Sequence, residues 1–218
     1  MKSAPHFLTD LTLRIEAAGQ PAKALLNSAS EIMVFGSRAA GVHAYDSDLD
    51  VLCFGRGGRL KTPALDLLWV PESAMCNEDW LGSELATHIA QYGICLRGQA
   101  TWQSLVCFGA KATKQKLRRI NAILNAVSRG WSRLHPVFRR RYQTTIRREI
   151  QRYGRLVEHV AVPPTPLLDR EWQVRPNGTL DFIERVGFCG QSAFAIQLLK
   201  TTKQQIETVN FNHPIGFD

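Results

Sequence analysis

The stretch VFGSRAAGVHAYDSDLDVLCFG, residues 34–55, restricts the possible fold more than any other part of the sequence. Asp48 and Asp50 stand two positions apart at the head of the apolar run VLCF, where strand alternation puts both on one face. Two carboxylates side by side on a half-buried strand repel each other and resist desolvation, so the pair demands compensation. Just upstream, EIMVFGS is a second compact apolar run that stops at a Gly-Ser turn. Gly36 lets the backbone turn sharply and approach a neighbour closely, and Ser37 adds a hydroxyl and an N–H suited to oxyanions.

A divalent cation supplies the compensation. Mg²⁺ takes hard oxygen ligands, commonly one or two carboxylates with phosphate oxygens of a substrate, and two such ions can clamp the attacking and leaving oxygens of phosphoryl transfer. A third carboxylate is then expected, to orient the second ion or take a proton. PALDLLWV offers Asp66. A hairpin turning at Gly58, within the basic loop RGGRLK, sets residue 50 opposite residue 66, each eight positions away. A slip of one residue would send Asp66 to the other face, and a lysine between the acids would rule the site out.

Around this centre the pattern reads helix, three strands, helix, strand. Residues 7–19 carry apolar positions at helical spacing and stop at Gly19-Gln20-Pro21; AKALLNSAS suits a second short helix. EDWLGSELATHIAQY reads as one helix and ICLRG as a strand. The expected class is α+β: a small mixed sheet with flanking helices over residues 1–110, followed by an all-α helical domain over residues 111–218. In that second half, Leu117, Ile120, Ile123, Leu124 and Val127 form one apolar stripe, VFRRRYQTTIRREIQRYGRLVEHV continues the theme, PPTP breaks the chain, and a last helix runs through CGQSAFAIQLLKTTKQQIETV.

GSRAAGVHAYDSDLD resembles the Gly-Ser-x₁₀-Asp-x-Asp signature of the DNA polymerase β-like nucleotidyltransferases, particularly the minimal nucleotidyltransferases and antibiotic adenylyltransferases, over about residues 28–98. ELATHIAQYGICLRG is similar to the helix and strand that follow their catalytic sheet. The resemblance implies an enzyme that moves an NMP from an NTP, most often ATP, onto an acceptor hydroxyl with release of pyrophosphate. It implies Asp48, Asp50 and Asp66 as catalytic ligands of two Mg²⁺ ions, for which Mn²⁺ can substitute. It also implies Gly36 and Ser37 as the residues that hold the nucleotide's phosphates, and Arg38, next in sequence, offers a charge partner for the triphosphate.

The net charge of +8 is unevenly placed: residues 1–110 sum to −3, residues 111–155 to +13 with Glu149 the lone acid, and residues 156–218 to −2. Such a basic segment suits an anionic partner. RNA or tRNA is the leading candidate, through Arg118, Arg119, Arg139, Arg140, Arg141, Arg147 and Arg148, with Trp131, Tyr142 and Tyr153 placed for stacking. The alternatives are an acidic protein partner, as in antitoxin-like modification of a protein, a small-molecule acceptor, or a non-catalytic nucleic-acid-binding protein on the same fold. Arg129 with His135, and Arg152 with His159, also match the loose Arg-x₄₋₆-His pattern of helical nuclease domains, a cheap match in so arginine-rich a segment. Five scattered cysteines without a CxxC, and an amphipathic rather than export-like start, place the chain in the reducing cytoplasm, with no membrane span.

Overall fold

The computed structural model describes residues 4–56, 58–128, 130 and 133–174, leaving aside the side chains of residue 128 and residues 172–174. The expected last helix, Trp131, Arg129 and Cys189 lie outside the described residues. Contacts divide the chain into two units, Met1–Ala112 with Ala161–Leu167, and Thr113–Val160 with the residues from Leu168 on. Among the described residues, no helix is long and apolar enough to cross a membrane.

The first unit is built on five strands: β1 (Glu31–Phe35), β2 (Leu49–Phe54), β3 (Gly58–Lys61), β4 (Leu65–Val70) and β5 (Ile94–Arg97), in the order β3-β4-β2-β1-β5. Alternation along the central strands sorts their side chains onto two covered faces. Ile32, Val34, Leu49, Val51, Leu65 and Leu67 pack with Phe7, Leu11 and Ile15 of helix α1 (Ala4–Ala17) and Leu26 of α2 (Ala22–Asn27). Met33, Leu52 and Phe54 face the other way, onto Leu81 of α4 (Glu78–Leu81), Ala86 and Ile89 of α5 (Glu84–Tyr92), and Trp102. Between β1 and β2 lies only the single turn α3 (Gly36–Ala39) and a loop. The expected single helix over residues 78–92 is two helices. Gly82-Ser83 interrupts it, and each piece carries its own N-cap, Asn77 Oδ1 accepting from Trp80 N–H at 3.0 Å and Ser83 Oγ from Ala86 N–H at 3.1 Å.

The hairpin expected between Asp50 and Asp66 does not form. β2 and β4 run parallel, and the segment read as a basic loop is itself strand β3, antiparallel to β4 on its outer side. The reason lies in side-chain character. LDLLWV is apolar on both faces and belongs in the middle of a sheet, whereas GRLK, short and doubly cationic, belongs on an exposed edge. The chain therefore leaves β2, returns as β3 two strand spacings away, and lays β4 into the gap.

The second unit holds α6 from Thr113 onward (Ala110–Ser128), α7 (Pro136–Val157) and α8 from Leu168 onward (Thr165–Val174). Ile120, Leu124 and Val127 of α6 pack against Ile146 and Ile150 of α7. Within this apolar seam, Lys116 Nζ donates to Glu149 Oε2 at 3.0 Å, with both side chains buried. α8, which the sequence reading left out, brings Asp169 to Arg147 and Arg148 of α7, and Glu171 to Arg155 at 2.6 Å. A good part of the segment's positive charge is thus answered by acids outside it or by Glu149.

Candidate active site

Asp50 sits on β2 at the level of Phe35 on one side and Asp66 of β4 on the other. Asp48 precedes β2 by one residue and completes the group: each of the three carboxylates offers an oxygen, and these oxygens all lie within 4.8 Å of one another. The expected register of 50 with 66 holds, although by a different topology. A parallel offset of 16 and an antiparallel fold about residue 58 coincide at this single pair.

Gly36, directly after β1, explains why a glycine is needed. Its φ is +73°, and a Cβ built there would stand 2.1 Å from Asp50 Oδ2 and 3.3 Å from Asp50 Cβ. The turn and the carboxylate share one space, which no side chain can enter. Ser37 follows at half-buried exposure, its carbonyl accepting from Val42 N–H at 2.9 Å. Arg38 is placed differently from a phosphate ligand. Its Nε donates to the carbonyls of Ser47 at 2.9 Å and Asp48 at 3.1 Å, and its Nη2 to Ser47 at 2.6 Å. The guanidinium thereby fixes the backbone that presents Asp48.

The electrostatics of the acids are unequal. Burial, reinforced by the charges of Asp48 and Asp66, pushes the Asp50 carboxyl up to about 7. Asp66 moves the other way: hydrogen bonding from Arg59, then from Lys61, outweighs its desolvation and holds it below the ordinary carboxylate range. Arg59 Nε donates to Asp66 Oδ1 at 2.7 Å, its Nη2 donates to Oδ2, and Lys61 Nζ donates to Oδ2 at 2.9 Å. Lys61 belongs to β3, on the far side of β4 from β2, so it meets Asp66 from the sheet edge and the three acids still converge. The sequence reading missed Arg59 and Lys61. Their signal was the alternation Arg-Leu-Lys beside an acid-bearing strand, hidden by assigning the segment to a loop.

This donor set fits a hard divalent cation: carboxylate oxygens only, gathered at short range, with one carboxylate pressed against a bare glycine turn and destabilised as an anion by its neighbours. The Asp50 shift gives a test in metal-free buffer. Because its folded value lies above the unfolded value of 3.8, stability falls as pH rises from about 4 to about 7, and the full penalty persists above that window. Asp50→Asn should therefore be more stable than wild type above pH 7 in EDTA, by about 2–3 kcal/mol after allowance for solvent screening, and unfold at a higher temperature. The advantage should vanish near pH 4. Thermal melts across that range check it, and an unchanged difference at both ends would contradict it.

In the second unit, Arg118 and Arg119 lie exposed on α6, and Arg140 and Arg141 exposed on α7, beside exposed Phe138 and Tyr142. Arg139 Nε donates to the Leu134 carbonyl at 2.8 Å, and Arg119 Nε lies 3.5 Å from Glu149 Oε2. Arg147 and Arg148 are held against Asp169, Arg148 through two bonds of 3.0 and 2.5 Å. Tyr153 is part of the α6–α7 packing rather than an outward platform. His135 caps α7, its Nδ1 accepting from Val137 N–H at 3.4 Å.

Residues 22–122 match the sequence profile of the nucleotidyltransferase domain family. Among solved structures, the chain is similar to a nucleotidyltransferase-like protein from Exiguobacterium sibiricum, with 12% identity, 90% of this chain and 74% of that one covered, and a TM-score of 0.40. It is also similar to a chain of a toxin–antitoxin complex with AMP-PNP, with 19% identity, 48% and 90% coverage, and a TM-score of 0.26. No curated protein matches the chain significantly. The matched segment holds Gly36, Ser37, all three aspartates and the whole five-stranded sheet.

Proposed function

We propose that the domain moves an NMP from an NTP, with ATP the preferred donor, onto an acceptor hydroxyl. The observation that carries this reading is the convergence of Asp48, Asp50 and Asp66 oxygens within 4.8 Å beside the bare turn at Gly36. The acceptor oxygen forms a bond to the α-phosphorus, the bond to the bridging oxygen of the β-phosphate breaks, and pyrophosphate leaves. Asp48 and Asp50 would hold Mg²⁺, and Asp66 would complete a second position. When bound, such ions offset the phosphate charge on which this chemistry depends.

The chain's own residues do the rest. Gly36 and the backbone and hydroxyl of Ser37 cradle the β- and γ-phosphates, with Arg38 holding the Asp48 carbonyl in place. Asp66 orients the acceptor hydroxyl and takes its proton. Held ionised by Arg59 and Lys61, it becomes an effective base only as those cations move off.

For the acceptor we favour an RNA 3′-hydroxyl, on the strength of the exposed cations Arg118 and Arg119 of α6 and Arg140 and Arg141 of α7, the latter two adjoining exposed Phe138 and Tyr142 in sequence. The test incubates the protein with each α-phosphate-labelled NTP, Mg²⁺ and total cell extract, then separates RNA, protein and small molecules. Label should enter RNA, most from ATP, and be lost when Mg²⁺ is chelated. Label in protein instead would replace the RNA acceptor with the protein one. Label in no fraction, with no Mg²⁺-dependent NTP binding, would leave a non-catalytic nucleic-acid-binding role.

A further inference from the structure

Arg59 and Lys61 occupy alternate positions of β3, so both reach the face of the sheet that carries Asp66. Lys61 is the direct cross-strand partner of Asp66. The two basic side chains are 55% and 59% exposed, while that of Asp66 is only 12% exposed. Both oxygens of the third carboxylate are therefore engaged by cations that stand at the solvent edge of the site. Asp48 and Asp50 differ. Among the described residues, neither takes part in an ion pair with a basic side chain.

An oxygen that already accepts from a guanidinium and an ammonium has little left to give a metal. A divalent ion bridging all three acids must first displace those donors, whereas one held by Asp48 and Asp50 alone need not. The exposed heads and the edge position of β3 make that displacement feasible, because the long side chains can swing into water without disturbing the core.

We propose that Arg59 and Lys61 form an exchangeable lock on Asp66, which divides metal binding into a ready step at Asp48 and Asp50 and a resisted step that recruits Asp66. The inference rests on the reading of the three acids as a metal site. It makes Arg59 and Lys61 positioning residues, since they act on metal occupancy through Asp66.

The test uses Mn²⁺ titration of the full chain, with free ion counted by electron paramagnetic resonance, so no catalytic readout is needed. The variants are R59Q/K61Q, D66N, and the triple combination. The lock predicts that R59Q/K61Q tightens the weaker Mn²⁺ step about tenfold, the size of two modest ion pairs together. It further predicts that the gain disappears in the D66N background, because there is no longer a carboxylate to release. A gain that survives in D66N reflects general loss of positive charge and overturns the lock. Equal affinities in wild type and R59Q/K61Q overturn it too, while leaving the metal site standing. Absence of Mn²⁺ binding in every form overturns the metal reading and the lock together. Should the double variant fail to fold by circular dichroism, R59Q and K61Q singly provide the same comparison in smaller steps.

Discussion

Replacing Asp48 with asparagine should abolish nucleotidyl transfer while leaving the fold at least as stable as wild type. The substitution keeps the shape of the side chain and removes one of three charges gathered within 4.8 Å. Stabilisation of transferring phosphates by bound metal is worth several kcal/mol, so the loss of rate should be on the order of 10³-fold or more. The fold has reason to gain, because the Asp48 charge is one of the influences that raise the Asp50 carboxyl. Relief of that repulsion should bring the Asp50 value down, a shift that carboxyl-carbon NMR would read directly. Asp46→Asn supplies the control. Asp46 stands exposed two residues away and lies outside the converging group, so the same change of charge there should leave transfer intact. An Asp48→Asn protein that transfers NMP at the wild-type rate would remove the active-site assignment. Loss of transfer in Asp46→Asn as well would show that diffuse charge, and not ligation, is what matters.

The pairing of Asp48 with Asp50 is readable from spacing alone. Asp48 and Asp50 follow a turn and head an apolar run, so their shared face follows from period-two geometry without knowledge of any partner strand. Gly36 was equally local: a glycine at the end of a buried strand already implies a close approach, and the structure adds only what is approached, Asp50 Oδ2. Asp66 required knowledge of pairing, which is not local. The hairpin reading placed it beside Asp50, but through a topology the molecule does not use, and only because two registers intersect at that pair. Residue 68, for example, pairs with Leu52 here and would have been far from it in the hairpin.

The errors have a common origin. A short charged segment between two apolar strands reads as a connection, because edge strands carry little of the hydrophobic signal that marks a strand in sequence. With β3 went the two residues that govern Asp66. In the second unit, the window that sums to +13 stops before Asp169 and Glu171, the acids that pair with Arg147, Arg148 and Arg155. Charge summed along a chain ignores partners that return from further on in sequence. Of the candidate arginines, Arg118, Arg119, Arg140 and Arg141 stay exposed, a narrower and better-defined set than composition could select.

Gly36→Ala should be the most damaging single-methyl change in the site. Two costs combine. A φ of +73° in a residue with a Cβ costs about 1–2 kcal/mol, and the new methyl carbon would overlap Asp50 Oδ2, 2.1 Å away, in a site already closed by strands on both sides. Asp50 cannot retreat freely, since it is fixed in β2 between Phe35 and Asp66. Displacing its carboxylate by the ångström or so needed to restore ordinary contact should cost a further ~1–3 kcal/mol and, on the proposed function, misplace a ligand of the metal, lowering transfer about 10²-fold or more. A double-mutant cycle separates the two costs. Asp50→Ala removes the carboxylate, so in that background Gly36→Ala should forfeit only the backbone part, and the difference between the two measurements is the steric coupling of turn to carboxylate. Chemical denaturation of the four proteins at pH 8 in EDTA yields that coupling without reference to activity. If Gly36→Ala costs the same stability whether or not Asp50 is present, the glycine serves the turn alone and the close fit between turn and carboxylate has no energetic meaning.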